Sequence, residues 1–133
     1  MDKVFFEDHS MKLMERSLDL AVQRQGLISA NVVNIDTPGY KAIDMNFDEE
    51  LKRAIDPGAG LAVTNPRHFT SGDGNGNAAV APVEGLTERN DLNNVNIDRE
   101  MAQLSTNAMK FSMAAQLLAG KFRTLRSAIS EGR

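Results

Sequence analysis

From Met11 onward the apolar residues fall at 11, 14, 18, 21, 28, 32 and 35, with the polar Gln25 at one place where the spacing asks for an apolar side chain. Steps of three and four over about 25 residues are the seam of a long amphipathic helix. A second row, Leu13, Leu20 and Leu27, repeats every seven residues but lies roughly 130° around the helix from the first. Near the other terminus the same spacing returns without a polar interruption, through Ile97, Met101, Leu104, Ala108, Phe111, Ala115, Leu118, Phe122, Leu125 and Ile129. Met109, Met113 and Leu117 make a further row on nearly the opposite side of that helix. Asn96 is placed to cap it, and Asp98 and Glu100 stand in the first turn, where the helix dipole favours negative charge.

Between the two seams the periodicity fails. Asn46 followed by Glu49, with Phe47, Leu51 and Ile55 every four residues, predicts a short capped helix that ends at Asp56-Pro57-Gly58. Residues 56–94 hold six of the ten Gly and three of the four Pro, which predicts loops with short strands at Leu61-Ala62-Val63-Thr64 and Ala79-Val80-Ala81. The expectation is a mainly α protein in three parts: an N-terminal helix in 1–36, a turn, short helix and loop-rich insert in 37–94, and a C-terminal helix in 95–133. The terminal helices pair antiparallel as a coiled-coil-like hairpin, Ile35 opposite Ile97 and Met11 near Lys121, a register defined to about one heptad. Met14, Leu18, Ala21 and Ile28 would then meet Leu104, Phe111, Leu118 and Phe122 inside the chain. Leu13, Leu20, Leu27, Met109, Met113 and Leu117 would be left for other subunits, since no third long helix exists to cover them. A plain hairpin whose extra rows are shielded by the insert explains the same pattern. Gly26 and Gly120 each weaken a helix, and the close approach of a neighbouring backbone would account for them.

The first helix runs into Ser29-Ala30-Asn31-Val32-Val33-Asn34-Ile35-Asp36-Thr37-Pro38-Gly39-Tyr40-Lys41. Asn34 tolerates a left-handed helix end, Pro38 forces Thr37 out of the helix, and Pro38-Gly39 suits the centre of a type II turn. Ala30, Asn31, Asn34, Asp36, Thr37, Pro38, Gly39, Tyr40 and Lys41 together resemble the N-terminal signature of the axial proteins of the bacterial flagellum: rod, hook and hook-associated proteins. Asn93-Asn94-Val95-Asn96-Ile97-Asp98-Arg99-Glu100-Met101, with Asn107 and Phe111, resembles the opening of the C-terminal helix of the small rod proteins. Thr64-Asn65-Pro66-Arg67-His68 is similar to a short element of the same proteins. Asp91-Leu92-Asn93 stands where that family often has Asp-Gly-Asn, and Leu92 argues against a left-handed residue at that point.

The resemblance implies a structural subunit of the basal-body rod that polymerises through its terminal helices into the proximal drive shaft. It also implies export through the flagellar type III apparatus without a cleaved signal, and a place in the rod crossing the periplasm. Its partners would be copies of itself, other rod proteins, the adaptor between rod and MS ring, and the export gate. The alternatives are another small rod protein, or a cytoplasmic coiled-coil adaptor or chaperone.

Composition narrows the field further. A 133-residue chain with 41% apolar residues and a net charge of −3 is a folded domain's worth of sequence, and seven Met with no Trp suit helix packing. No run of about 20 apolar residues is present, and the acidic opening lacks the apolar core of a secretory signal. The basic residues of the last helix are few and without interleaved aromatics, which gives no nucleic-acid signal. His9 and His68 have no partners at ligand or triad spacing, there is no Cys, and no Gly-rich phosphate loop occurs, so neither an enzyme, a cofactor site nor a small-molecule substrate is expected. Asp73, Asn75, Asn77 and Glu84 imitate an EF-hand calcium loop, but Ala78 replaces the bending glycine and Pro82 interrupts the loop. A Gly/Asn turn is the better account.

Overall fold

The computed structural model describes residues 2–55 and 78–131. Two helices dominate: α1, Asp2–Val33, of 32 residues, and α3, Ile97–Glu131, of 35 residues. At about 1.5 Å per residue each is roughly 50 Å long. Between them lie β1 (Ile43–Met45), α2 (Phe47–Ile55) and β2 (Val80–Pro82). β1 and β2 form an antiparallel ribbon with Ile43 opposite Pro82 and Met45 opposite Val80.

Local chemistry sets the boundaries. Asn96 accepts a hydrogen bond from the Arg99 backbone N–H through its side chain, 3.1 Å, and so caps α3; Asn46 does the same for α2 through Glu49, 3.3 Å. Where α1 stops, the Ala30 carbonyl accepts from both the backbone N–H (3.2 Å) and the side-chain amide (2.8 Å) of Asn34, so the last helical bond is doubled by a side chain. Thr37 to Tyr40 then close a turn, Tyr40 N–H donating to the Thr37 carbonyl at 3.3 Å, with Gly39 at φ 74° as a type II turn requires.

α1 and α3 pair antiparallel. Asn31 meets Glu100, Arg24 meets Gln103, and Asn107 reaches the Ala21 carbonyl, which fixes the register within about one heptad of the expected one. Met11 and Lys121 line the same groove at the far end of the pair. On α1, Ala21 and Ile28 are buried and Met14 and Leu18 half-buried, as the seam requires.

The faces of the two helices are used differently from the expectation. Leu20, expected on an assembly face, is fully buried and packs with Ala21, Met45, Phe47 and Ala78, with Leu27 and Leu51 against them. The short α2 and the ribbon supply the cover that a third long helix would have given; Leu13 is half-buried. Phe111 and Phe122, expected in the intramolecular seam, are exposed, Phe122 by 54%, while Leu104 and Leu118 are half-buried. α3 turns Glu100, Asn107 and Ala114 towards the rest of the chain, a face roughly 60° from the apolar stripe at about 100° per residue.

That rotation is possible because Glu100 and the Asn107 amide nitrogen find hydrogen-bond partners on α1, which offsets part of the cost of burying them; the Asn107 side-chain oxygen is buried with no partner among the described residues. Around Gly26 and Gly120 no described atom lies within 4 Å of where a Cβ would sit, so no described backbone of the subunit explains either glycine. Leu92 does adopt the left-handed conformation, φ 65°, that its side chain argued against. The ribbon covers only part of what was expected of the insert: Leu61-Ala62-Val63-Thr64, Asp56-Pro57-Gly58, Thr64 to His68, and Asp73, Asn75 and Asn77 lie outside the described residues.

Candidate assembly site

The two family-like stretches, separated by some fifty residues of sequence, interlock where α1 ends and α3 begins. Asn31 is 1% exposed and uses its whole side-chain amide. Its oxygen accepts from the Ile43 N–H (2.9 Å) and from the Tyr40 hydroxyl (3.2 Å). Its nitrogen donates to the Ile43 carbonyl (2.8 Å) and to a Glu100 carboxylate oxygen (3.0 Å). An amide with two donors and two acceptor lone pairs can do no more. By pairing with both backbone groups of Ile43, Asn31 takes the place of a neighbouring strand on the side of β1 away from β2.

Asn93, fully buried, ties the other stretch in. Its amide nitrogen donates to the carbonyls of Asn34 and Thr37, both at 2.9 Å, so the carbonyls freed at the end of α1 are satisfied from residues just before α3. Asn94 accepts from the Ala42 N–H at 2.7 Å, and the Gly39 N–H donates to the Asp91 carbonyl at 2.8 Å. Of the signature, Asn31, Asn34, Thr37, Gly39 and Tyr40 thus have bonding roles; Ala30 supplies a carbonyl, and Asp36 and Pro38 are exposed.

Ion pairs reinforce the same clamp. Arg24 grips Asp44 through two bonds, 3.0 and 2.9 Å, and also donates to Gln103 at 2.6 Å. Arg99 donates to Glu100 at 2.6 Å and approaches Asp44 at 3.5 Å. Two-pronged Arg–carboxylate pairing fixes orientation as well as distance, so α1, β1 and α3 are held in one geometry. Burial first, and the nearby Glu100 carboxylate second, push the Tyr40 phenol above its ordinary value. Further along, Asn107 donates to the Ala21 carbonyl at 2.8 Å, and Lys110 sits 4.2 Å from the centre of the Phe47 ring, tying α3 to α2.

Arg24, Asp44, Glu100 and Gln103 were not singled out from the sequence for this network. The signal was there in outline: Glu100, Asn107, Ala114 and Lys121 repeat every seven residues along α3, as Arg24 and Asn31 do on α1. A search for apolar periodicity passes over both rows.

Away from the clamp the surface changes character. Met109, Met113 and Leu117 are exposed, Met113 by 63%, and Ile97, Met101, Phe111, Phe122 and Ile129 are exposed with them. Such a run of large apolar side chains along one helix exceeds the scattered leucines of an ordinary surface. At the end of the hairpin opposite the clamp a groove of about 360 Å³ opens between the helices, bordered by Met11 and Met14 of α1 and by Leu117 and Leu125 of α3. No described helix is long and apolar enough to cross a membrane, and among the described residues no three His, Asp or Glu gather as metal ligands.

The described chain is a helical hairpin locked at one end by a polar clamp, with large apolar side chains exposed along α3. No family model matches the chain. Individual relatives do: it is 30% identical over 137 residues to the flagellar basal body rod protein FlgB of Salmonella typhimurium, covering 94% of this chain and 96% of that protein. It is 32% identical over 115 residues to FlgB of Buchnera aphidicola, covering 84% and 86%, and 28% identical over 120 residues to FlgB of Bacillus subtilis, covering 90% and 92%. The chain belongs to the FlgB family of flagellar basal body rod proteins.

Proposed function

We propose that the chain is a structural subunit of the proximal part of the rod, polymerising through α1 and α3 into the drive shaft. The observation that carries this reading is the exposure of large apolar side chains along α3, above all Met109 and Met113, which no described residue of the subunit covers. Burial of such a side against neighbours removes apolar area from water at roughly 25 cal/mol per Å². Its neighbours are other copies and other rod proteins, reached after export through the flagellar type III apparatus. The adaptor at the MS ring and the export gate are its further partners on this reading. The clamp's part is to fix the angle between the helices before a neighbour arrives.

Met113→Asp tests the reading. The side chain is open to solvent, so the substitution is expected to change the stability of the isolated subunit by less than about 0.5 kcal/mol. In an assembly it buries an unpaired carboxylate, and rods should fail to form while the protein is made and exported. Normal rods and swimming in Met113→Asp cells would remove α3's outer side from the assembly.

A further inference from the structure

Each long helix carries an outward row at the three-and-four spacing of a seam. On α1 the row is Glu15, Asp19, Val22, Gly26, Ser29 and Val33, every one of them exposed. On α3 it is Met109, Ser112, Gln116, Ala119, Arg123 and Arg126, again all exposed. Both rows lie on the side of their helix roughly opposite the contacts that join α1 to α3, so one subunit cannot bring them together.

The rows are opposite in charge. Glu15, Asp19 and Arg126 have no ion-pair partner among the described residues, and Arg123 reaches the Ala119 carbonyl of its own helix at 3.4 Å. The subunit therefore leaves two acidic side chains unmatched at one end of one row and two basic ones at one end of the other. The rest of each row is uncharged, with Val33 81% and Met109 66% exposed, and no described atom lies within 4 Å of the missing Cβ of Gly26.

Laid antiparallel, the rows match one to one. Glu15 stands against Arg126, Asp19 against Arg123, Val22 against Ala119, Gly26 against Gln116, Ser29 against Ser112 and Val33 against Met109. Opposite charges meet at one end, two exposed apolar side chains meet at the other, and the small residues between them let the backbones approach. Laid parallel, the same rows set Glu15 against Met109 and Val33 against Arg126, and all four charges stay unmatched. Charge thus selects both direction and register.

We infer that the outer face of α1 from Glu15 to Val33 packs antiparallel on the outer face of α3 from Met109 to Arg126 in a second copy of this chain. The inference rests on the assembly reading above and names the surface that covers Met109. Because α1 and α3 are also antiparallel within a subunit, the two copies point the same way. Each uses a different face, so the contact is heterologous and repeats from copy to copy. Ala21 meets Asn107 inside the subunit but lies level with Gly120 of the neighbour, an offset of about a dozen residues or roughly 18 Å along the helices.

The test uses the full-length chain in flagellated cells that make no other copy of it. The chain has no Cys, so Val22→Cys combined with Ala119→Cys introduces its only thiols. Oxidation of isolated basal bodies should give dimers and higher species joined from position 22 to position 119, because a disulfide needs Cα atoms within about 7 Å. Either single variant should stay monomeric. Asp19→Arg sets like charges against each other and should lower incorporation into rods about tenfold, and adding Arg123→Asp, which exchanges the pair, should restore it to within about twofold of the parent. Both positions are exposed, so neither change should alter folding of the subunit.

Incorporation of Asp19→Arg at the parental level overturns the inference, as does failure of Arg123→Asp to rescue it. A motile double-thiol strain whose positions 22 and 119 never join, or whose position 22 joins a different protein, overturns it too. In those cases the assembly reading survives. Absence of the unaltered chain from basal bodies overturns both.

Discussion

Where α1 meets α3 at the clamp, Asn31 and Asn93 are buried and the side-chain amides of both are bonded to backbone groups or to each other's neighbours; along the outer side of α3, Met109 and Met113 face solvent and bond to nothing. On the proposed assembly reading the two regions divide the work between direction and adhesion. Hydrogen bonds hold only at defined distances and angles, so the clamp specifies one arrangement of the helices. Apolar contact is non-directional, so on that reading the outer side of α3 would supply adhesion and leave its partner's orientation to shape. Had the best apolar stripe been spent inside the hairpin, little would remain to drive assembly.

Breaking the clamp should have the largest effect. Asn31→Asp removes two donors and places a second carboxylate against the buried Glu100, and is expected to cost about 3–5 kcal/mol in urea unfolding of the isolated subunit. A stability near that of the parent would mean that the clamp is not what fixes the helix pair. Next in size is the covered row of α1: Leu20→Ala should cost about 2–5 kcal/mol, since Leu20 is fully buried among Met45, Phe47 and Ala78. The same measurement on Met113→Asp, with its change below about 0.5 kcal/mol, marks the contrast between the inner and outer sides.

An effect smaller than that of Leu20→Ala is read through pH. Tyr40→Phe removes one bond to Asn31 and should cost about 1 kcal/mol near neutral pH. Burial raises the Tyr40 pKa above its ordinary 10.0, so the folded state keeps a proton that the unfolded chain releases first. The stability this supplies is intact below pH 10.0 and is lost as pH climbs through the raised folded value. Unfolding followed from pH 9 to pH 11 should therefore fall less steeply in Tyr40→Phe than in the parent. Equal slopes would separate Tyr40 from the alkaline loss.

The sequence made the helices legible where the determinants are local. Asn96 and Asn46 cap the helices they were expected to cap, and Pro38-Gly39 makes the turn its residues require, because each acts on atoms within four residues. The rotation of α3 was not legible, since it depends on Glu100 and Asn107 finding partners on α1 some seventy to ninety residues away in sequence. Nor was the burial of Leu20, which depends on α2 and a three-residue strand folding back over it. The signature residues were visible as a motif, but their work is done through the Ile43 backbone and Glu100, which no spacing rule connects to Asn31.

The most direct test is an electron-microscopy map of an isolated basal body at side-chain resolution. In the assembled subunit Asn31 is expected to keep its bonds to Ile43 and Glu100, with Met109, Met113 and Phe122 covered by neighbouring subunits. A rod in which the outer side of α3 faces open solvent, or in which α1 and α3 of one chain have separated to pair with other subunits, would contradict it.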